Sequence, residues 1–337
     1  MNGTIQLERR FFQEKAFIFF KNDEFTVTLF SYSSGIEAVE IKNSRGRMVV
    51  LPYFGQMIWD LEFDGIDLKM KNMFSEPKKS QDIIGTYGCF AFHSGLVRNG
   101  CPAPEDDHPL HGEMPCAAMD HAWLELTENS VKVCGSYEYV MGFGHHYCAS
   151  PSVELHASKT YVTINMNVEN LSRSRMPLQY MCHTNFAYLE QASFKQSIPS
   201  SLFSLRESIP AHVKTTENWL EYNAAIRSGE QVLETLSTPE LYDPEIVFFA
   251  DRLDEYEKDA EFQMISPEGT TFFTKFSTKE LNYATRWILN NPDQKVAAFV
   301  LPATCRPEGY LAAEKAGTLI SLAGGEKKSF TVITGKK

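Results

Sequence analysis

A chain of 337 residues with 43% apolar and 22% charged side chains is globular, and is either two ordinary domains or one large all-β domain. Its formal net charge of −11 argues against a nucleic-acid partner, whose phosphates demand basic surface. No stretch reaches the roughly 18 uninterrupted apolar residues of a membrane helix, and no apolar core of signal-peptide length follows Met1. The seven cysteines are scattered with no CxxC pair, which indicates neither a zinc knuckle nor a disulfide framework. Reduced thiols in a cytoplasmic protein are the expectation.

Residues 1–34 mix charge with aromatics (Phe11, Phe12, Phe17, Phe19, Phe20) and give no clear period. They are expected to form an edge hairpin or an arm packed on a single body spanning 35–337. From Gly35 the pattern settles into strands. Ile36–Ile41 and Arg47–Leu51 flank a turn cluster, and Ile58–Phe63 and Ile66–Leu68 flank Asp64-Gly65, a type I′ hairpin signal. Met70–Ile84 is polar and irregular. A long connection from Leu96 to Pro115 follows, with four prolines and an acidic run, and loops of that length are usually functional or disordered. Ala122–Leu126 and Val131–Val140 read as strands. The clearest alternation puts Val162, Ile164, Met166 and Val168 on one face, and Pro177–Cys182 continues the series. Thr216–Ser228 is the best helical candidate. Seven further short strands, from Ile246–Ala250 to Phe330–Ile333, complete a pattern of one large antiparallel sandwich or barrel.

Five places carry possible chemistry. His183 and Asn185 stand two apart where a strand ends; on extended backbone both would face one space, a ring nitrogen beside an amide. His111 precedes Gly112 at the close of the long loop, where glycine permits a sharp turn. Arg98 opens that loop, Trp287 ends the segment Leu281–Trp287, and Leu301-Pro302-Ala303-Thr304 closes an apolar strand. Each has a bland reading as core or solvated surface. It is their order along the chain that carries weight.

That order resembles the galactose mutarotase-like (aldose 1-epimerase) superfamily, and most of all a poorly characterised aldose epimerase-like branch. The shared landmarks are Leu110-His111-Gly112 closing the long loop, His183-Thr184-Asn185-Phe186, the segment from Leu281 to Trp287, and Leu301-Pro302-Ala303-Thr304. The resemblance runs over roughly 35–335. It implies an all-β, large antiparallel β-supersandwich with few short helices, whose concave face binds a monosaccharide or a derivative without a cofactor or metal. The implied reaction interconverts anomers by acid–base ring opening, with His183 as general acid and His111 contacting a sugar oxygen. Arg98, Glu113, Asn185, Asp251 and Trp287 are the implied substrate contacts.

One departure matters. The family's base is a glutamate where this chain has Leu301, and a leucine takes no proton. Glu308 or Glu314 is the first substitute to consider, then Glu113 and Asp251. The same departure supports an alternative, a catalytically silent sugar-binding protein. A minor alternative is a metal-dependent sugar isomerase or hydrolase built on His145, His146 and His156, although neighbouring strand residues point to opposite faces and do not easily share an ion. A homodimer is compatible with either main reading.

Overall fold

The computed structural model describes residues 2–210 and 213–337. Two antiparallel sheets, of nine and thirteen strands, face each other across one apolar core. The period-two segment forms the strand Tyr161–Asn170, with Val162, Ile164, Met166 and Val168 all buried. Burying such side chains contributes roughly 1.5–3 kcal/mol each, and that fixes which face of the strand points inward. The Asp64-Gly65 pair makes the expected hairpin turn, both residues at positive φ, between Ile58–Phe63 and Ile66–Asp67. The helix Glu217–Ser228 begins where Thr216 Oγ1 accepts the Trp219 amide, and it ends at left-handed Gly229.

The N-terminal segment up to residue 34 puts one strand on the smaller sheet and a two-stranded hairpin on the larger. Gly3–Leu7 pairs with His121–Leu126 at the rim of the smaller sheet, while Phe17–Lys21 pairs with Thr26–Ser31 at the rim of the larger. The strand His146–His156 was not expected. Pro151 sits in its middle, and proline argues against an interior strand. Here Pro151 simply takes one of the inward positions, on the same face as Tyr147, Ala149, Val153 and Leu155. A short helix, Tyr310–Ala316, also lacks a sequence signal of its own.

Four neighbouring strands of the large sheet position the site: Ile246–Ala250, Tyr283–Asn290, Lys295–Ala303 and Met176–Thr184, in that order. One face of each packs into the inter-sheet core. Their other face is covered by the irregular segment 70–87 and by the long loop ending at His111.

Candidate active site

A cavity of about 540 Å³ opens on that outer face. Its floor is made by alternate residues of the four strands: Val247 and Phe249; Thr285, Trp287 and Leu289; Leu301; and Met181 with His183. The period of two is what delivers His183 to the cavity and turns its neighbours Cys182 and Thr184 away. Across the sheet His183 pairs in register with Phe92, and their rings stack at 4.4 Å.

His111 arrives from the loop. Its own φ is +64° and that of Gly112 is +79°; a Cβ on Gly112 would lie 1.9 Å from the Arg98 carbonyl oxygen, so only glycine fits. The His111 amide donates to the Gly100 carbonyl (2.9 Å), and its carbonyl accepts from the Gly95 amide (3.0 Å), tying the loop to the sheet. A non-glycine residue in the left-handed region costs about 1–3 kcal/mol and persists where its surroundings over-determine it. The result is that the rings of His111 and His183 lie 4.8 Å apart, one 6% and the other 3% exposed. Tyr87, Phe92 and Trp287 complete a box of rings around His183, and Tyr87 Oη lies 3.2 Å from its Nε2.

Burial, and then the positive field of His111, push the His183 ring well below the ordinary histidine range, while Asn185 acts in the opposite direction. The ring is therefore neutral at neutral pH. Burial likewise holds the Tyr87 hydroxyl well above the usual tyrosine range, so it stays protonated. Asn185 does not line the cavity: the strand ends at Thr184, and the Asn185 amide turns behind the ring to donate to the Cys89 carbonyl at 3.0 Å. The expected shared space for His183 and Asn185 is thus not formed.

Trp287 lines the cavity, but Arg98, Glu113, Asp251, Glu308 and Glu314 do not. Arg98 stacks over Tyr310 and pairs with Asp107 at the outer end of the loop. The Glu113 carboxylate accepts the amides of Leu96, Val97 and Arg98 and the Tyr147 hydroxyl, holding the turn that opens the loop. Asp251 is bound by Arg306 through two nitrogens, and Glu308, bonded to Ser208, shares a separate depression of about 280 Å³ with that pair. Glu314 is exposed on the helix Tyr310–Ala316, beside the Tyr310 hydroxyl.

Two carboxylates do line the cavity, the exposed Asp243 and the buried Glu245, which directly precedes the strand Ile246–Ala250. Glu245 is held in place by its neighbours. Its Oε1 accepts from Arg206 at 2.6 Å and its Oε2 from Trp287 Nε1 at 2.8 Å, while its carbonyl is held by Trp219 of the helix Glu217–Ser228. Sequence reasoning missed Glu245, Arg206 and Tyr87. The available signal for Glu245 was a lone acid directly before an apolar strand, Ile246-Val247-Phe248-Phe249-Ala250. Among the described residues, no three His, Cys, Asp or Glu side chains are placed to hold a metal ion, and no helix is long and apolar enough to cross a membrane. His146 instead faces Glu138, and His156 faces Thr163.

The model of the domain of unknown function DUF4432 matches residues 33–334. The chain belongs to this family. No curated protein matches it in sequence. Solved structures resemble this DUF4432 chain over nearly its full length. A protein of Klebsiella pneumoniae subsp. pneumoniae, provisionally assigned as an aldose 1-epimerase, superposes with a TM-score of 0.79 at 13% identity, covering 99% of this chain and 87% of that one. A galactose mutarotase-like protein of Clostridium acetobutylicum gives 0.62 at 14% identity, covering 94% and 99%. A galactose mutarotase related enzyme of Lactobacillus acidophilus gives 0.59 at 12%, covering 89% and 97%. At these identities the likeness is one of fold, and the fold is the galactose mutarotase-like β-sandwich.

Proposed function

We propose that this protein binds a monosaccharide or a close derivative in the His111/His183 cavity and interconverts its anomers. The observation that carries the reading is the meeting of two histidines, remote in sequence, within 4.8 Å on the wall of a sugar-sized cavity. The rest of the lining fits a sugar. Trp287 and Tyr87 offer ring surfaces for C–H faces, and the clamped Glu245 offers carboxylate oxygens for hydroxyls. The likeness in fold to a provisionally assigned aldose 1-epimerase and to galactose mutarotase-like proteins supports the same reading.

Ring opening requires a proton to leave the anomeric hydroxyl and one to reach the ring oxygen. Neutral His183 is the titratable group best placed to handle it, with His111 holding a sugar oxygen beside it. Saturation-transfer NMR on D-galactose, D-glucose, D-xylose and other aldoses tests this directly. Exchange between anomers faster than buffer alone, lost in His183→Gln, is the expected result; no acceleration for any sugar would sink it.

Leu301 favours a second reading. It lies in the cavity wall where the resemblance places a base, so the same pocket would suit a protein that holds sugar without turning it over. That reading predicts a sugar-dependent rise in Tm with no anomer exchange.

A further inference from the structure

Resting on the mutarotase reading, we propose that Tyr87 is a catalytic residue, carrying the anomeric proton between the sugar and His183 Nε2. The argument begins behind the ring. Asn185 Nδ2 is committed to the Cys89 carbonyl, which leaves Oδ1 as the other end of the amide, buried and without a hydrogen bond of ideal geometry. His183 Nδ1 is likewise buried without such a hydrogen bond. The protonated Tyr87 hydroxyl lies 3.2 Å from Nε2 and can donate only to an unprotonated nitrogen, so the single proton of the neutral ring is assigned to Nδ1. Nε2 then presents a lone pair.

Tyr87 Oη is 3.2 Å from Nε2, and in this tautomer the hydroxyl is the donor. With its proton turned to His183, its oxygen is left to accept from whatever occupies the cavity that both residues line. A phenol so placed can take one proton as it passes another on. In the forward step the O1–H bond of the cyclic sugar breaks as Oη–H forms, while the proton already on Oη moves to Nε2. The products are a hemiacetal alkoxide and an imidazolium. The C1–O5 bond then breaks, its electron pair going to O5 while O1 becomes the aldehyde oxygen. The imidazolium returns its proton through Tyr87 to O5. One proton has moved from O1 to O5, two atoms bonded to the same carbon and within reach of one phenol oxygen. After rotation about C1–C2 the steps run backward on the other face.

Such a path needs no second acid–base group opposite, which accounts for Leu301, and it leaves Glu245 to hold hydroxyls. It also suits a histidine kept neutral by burial, which must accept a proton before it can give one.

Two measurements on the full chain test it. Long-range ¹H–¹⁵N NMR reads the His183 tautomer without any substrate; a proton on Nδ1 is expected, and a proton on Nε2 overturns the shuttle. Saturation transfer with D-galactose, D-glucose and D-xylose then compares wild type with Tyr87→Phe. The variant should lose about 10²–10⁴-fold in exchange rate while keeping the sugar-induced rise in Tm. Exchange within threefold of wild type defeats the role of Tyr87 alone, with the mutarotase reading intact. A wild type that exchanges no sugar defeats both. Should Tyr87→Phe fail to fold, the tautomer decides.

Discussion

Two histidine–tyrosine pairs lie on opposite sides of the adjacent strands Ala91–Leu96 and Met176–Thr184, which supply His93, Tyr180 and His183, while Tyr87 comes from the segment 70–87 that covers the sheet. On the inner side His93 Nδ1 lies 2.9 Å from the hydroxyl of Tyr180, whose ring stacks on Phe330 of the opposite sheet at 4.9 Å. On the outer side Tyr87 Oη lies 3.2 Å from His183 Nε2, beside the cavity. The chemistry is the same and so is the burial: desolvation pushes His93 down to about 3, and His183 is also held well below its ordinary value. What differs is access. The inner pair satisfies two polar groups sealed in an apolar core; the outer pair presents the same groups to a space that a sugar can fill. Function here follows from which face of a strand a residue occupies, which one position of register decides.

The arginines sharpen the contrast, and they give the largest expected effect. Arg286 on the inner side has no carboxylate partner among the described residues and lies between Phe194 and Phe203, at about 4 Å from each ring, donating to the Phe299 carbonyl. Arg206 on the cavity side is bonded to Glu245, both side chains about nine-tenths buried. Removing one member of such a pair leaves an uncompensated charge, so Glu245→Ala should cost roughly 3–5 kcal/mol in denaturant unfolding. Glu245→Ala combined with Arg206→Met should recover most of that loss. A single variant as stable as wild type would show that the pair is open to water and that the cavity is far wetter than its lining suggests.

The tyrosines come next. Tyr180→Phe leaves His93 Nδ1 without its partner inside the core and should cost about 1–3 kcal/mol of stability. It should leave anomer exchange unchanged. Tyr87→Phe should do the reverse. If both variants lose stability equally and neither alters exchange, the two pairs are equivalent and the outer one is only structural.

Much of this arrangement was readable from the chain, and the parts that were not share a cause. Alternation over Tyr161–Asn170 declared its buried face because a half-buried strand has no other way to be stable. His111 and His183 stood out because each sits where a pattern stops, one before Gly112 and the other at a strand end. Tyr87 lies in a glycine- and aromatic-rich stretch without a period, and only the fold of segment 70–87 over the sheet brings it to His183. Glu245 was hidden because its importance comes from Arg206 and Trp287, 39 and 42 residues away, and no local spacing records such a meeting. Glu308, Glu314, Glu113 and Asp251, the candidate bases, all lie off the cavity, whereas Glu245 reaches it from two strands across from Leu301.

A pH titration tests the two histidines together. Both have folded values below the 6.5 of a free ring, so on acidification the unfolded chain binds protons first. Their contribution to stability is complete above about pH 6.5. It falls as pH drops below that, continuing toward about 3 for His93, at up to roughly 1.4 kcal/mol per pH unit for each ring. Urea unfolding between pH 7 and pH 4 should show this loss. Sugar should offset part of it, because a ligand that binds only the folded chain stabilises it. A flat profile would mean that water reaches both rings.

The smallest effect is expected at the second depression, and it is the one that guards the assignment of the site. Glu308 lies there with Asp251 and Arg306, and these charged groups bond to one another and to Ser208. A charge paired with its neighbours at a partly exposed surface contributes little to stability, about 0–1 kcal/mol. Glu308→Gln should therefore change stability by less than about 1 kcal/mol and leave anomer exchange within twofold of wild type. The result matters because position along the chain alone made Glu308 a candidate base, whereas geometry puts Glu245 and Asp243 at the cavity. A hundredfold loss of exchange in Glu308→Gln would mean that a proton leaves the sugar toward the Arg306 side, and that the depression holding Glu308 is part of the working site.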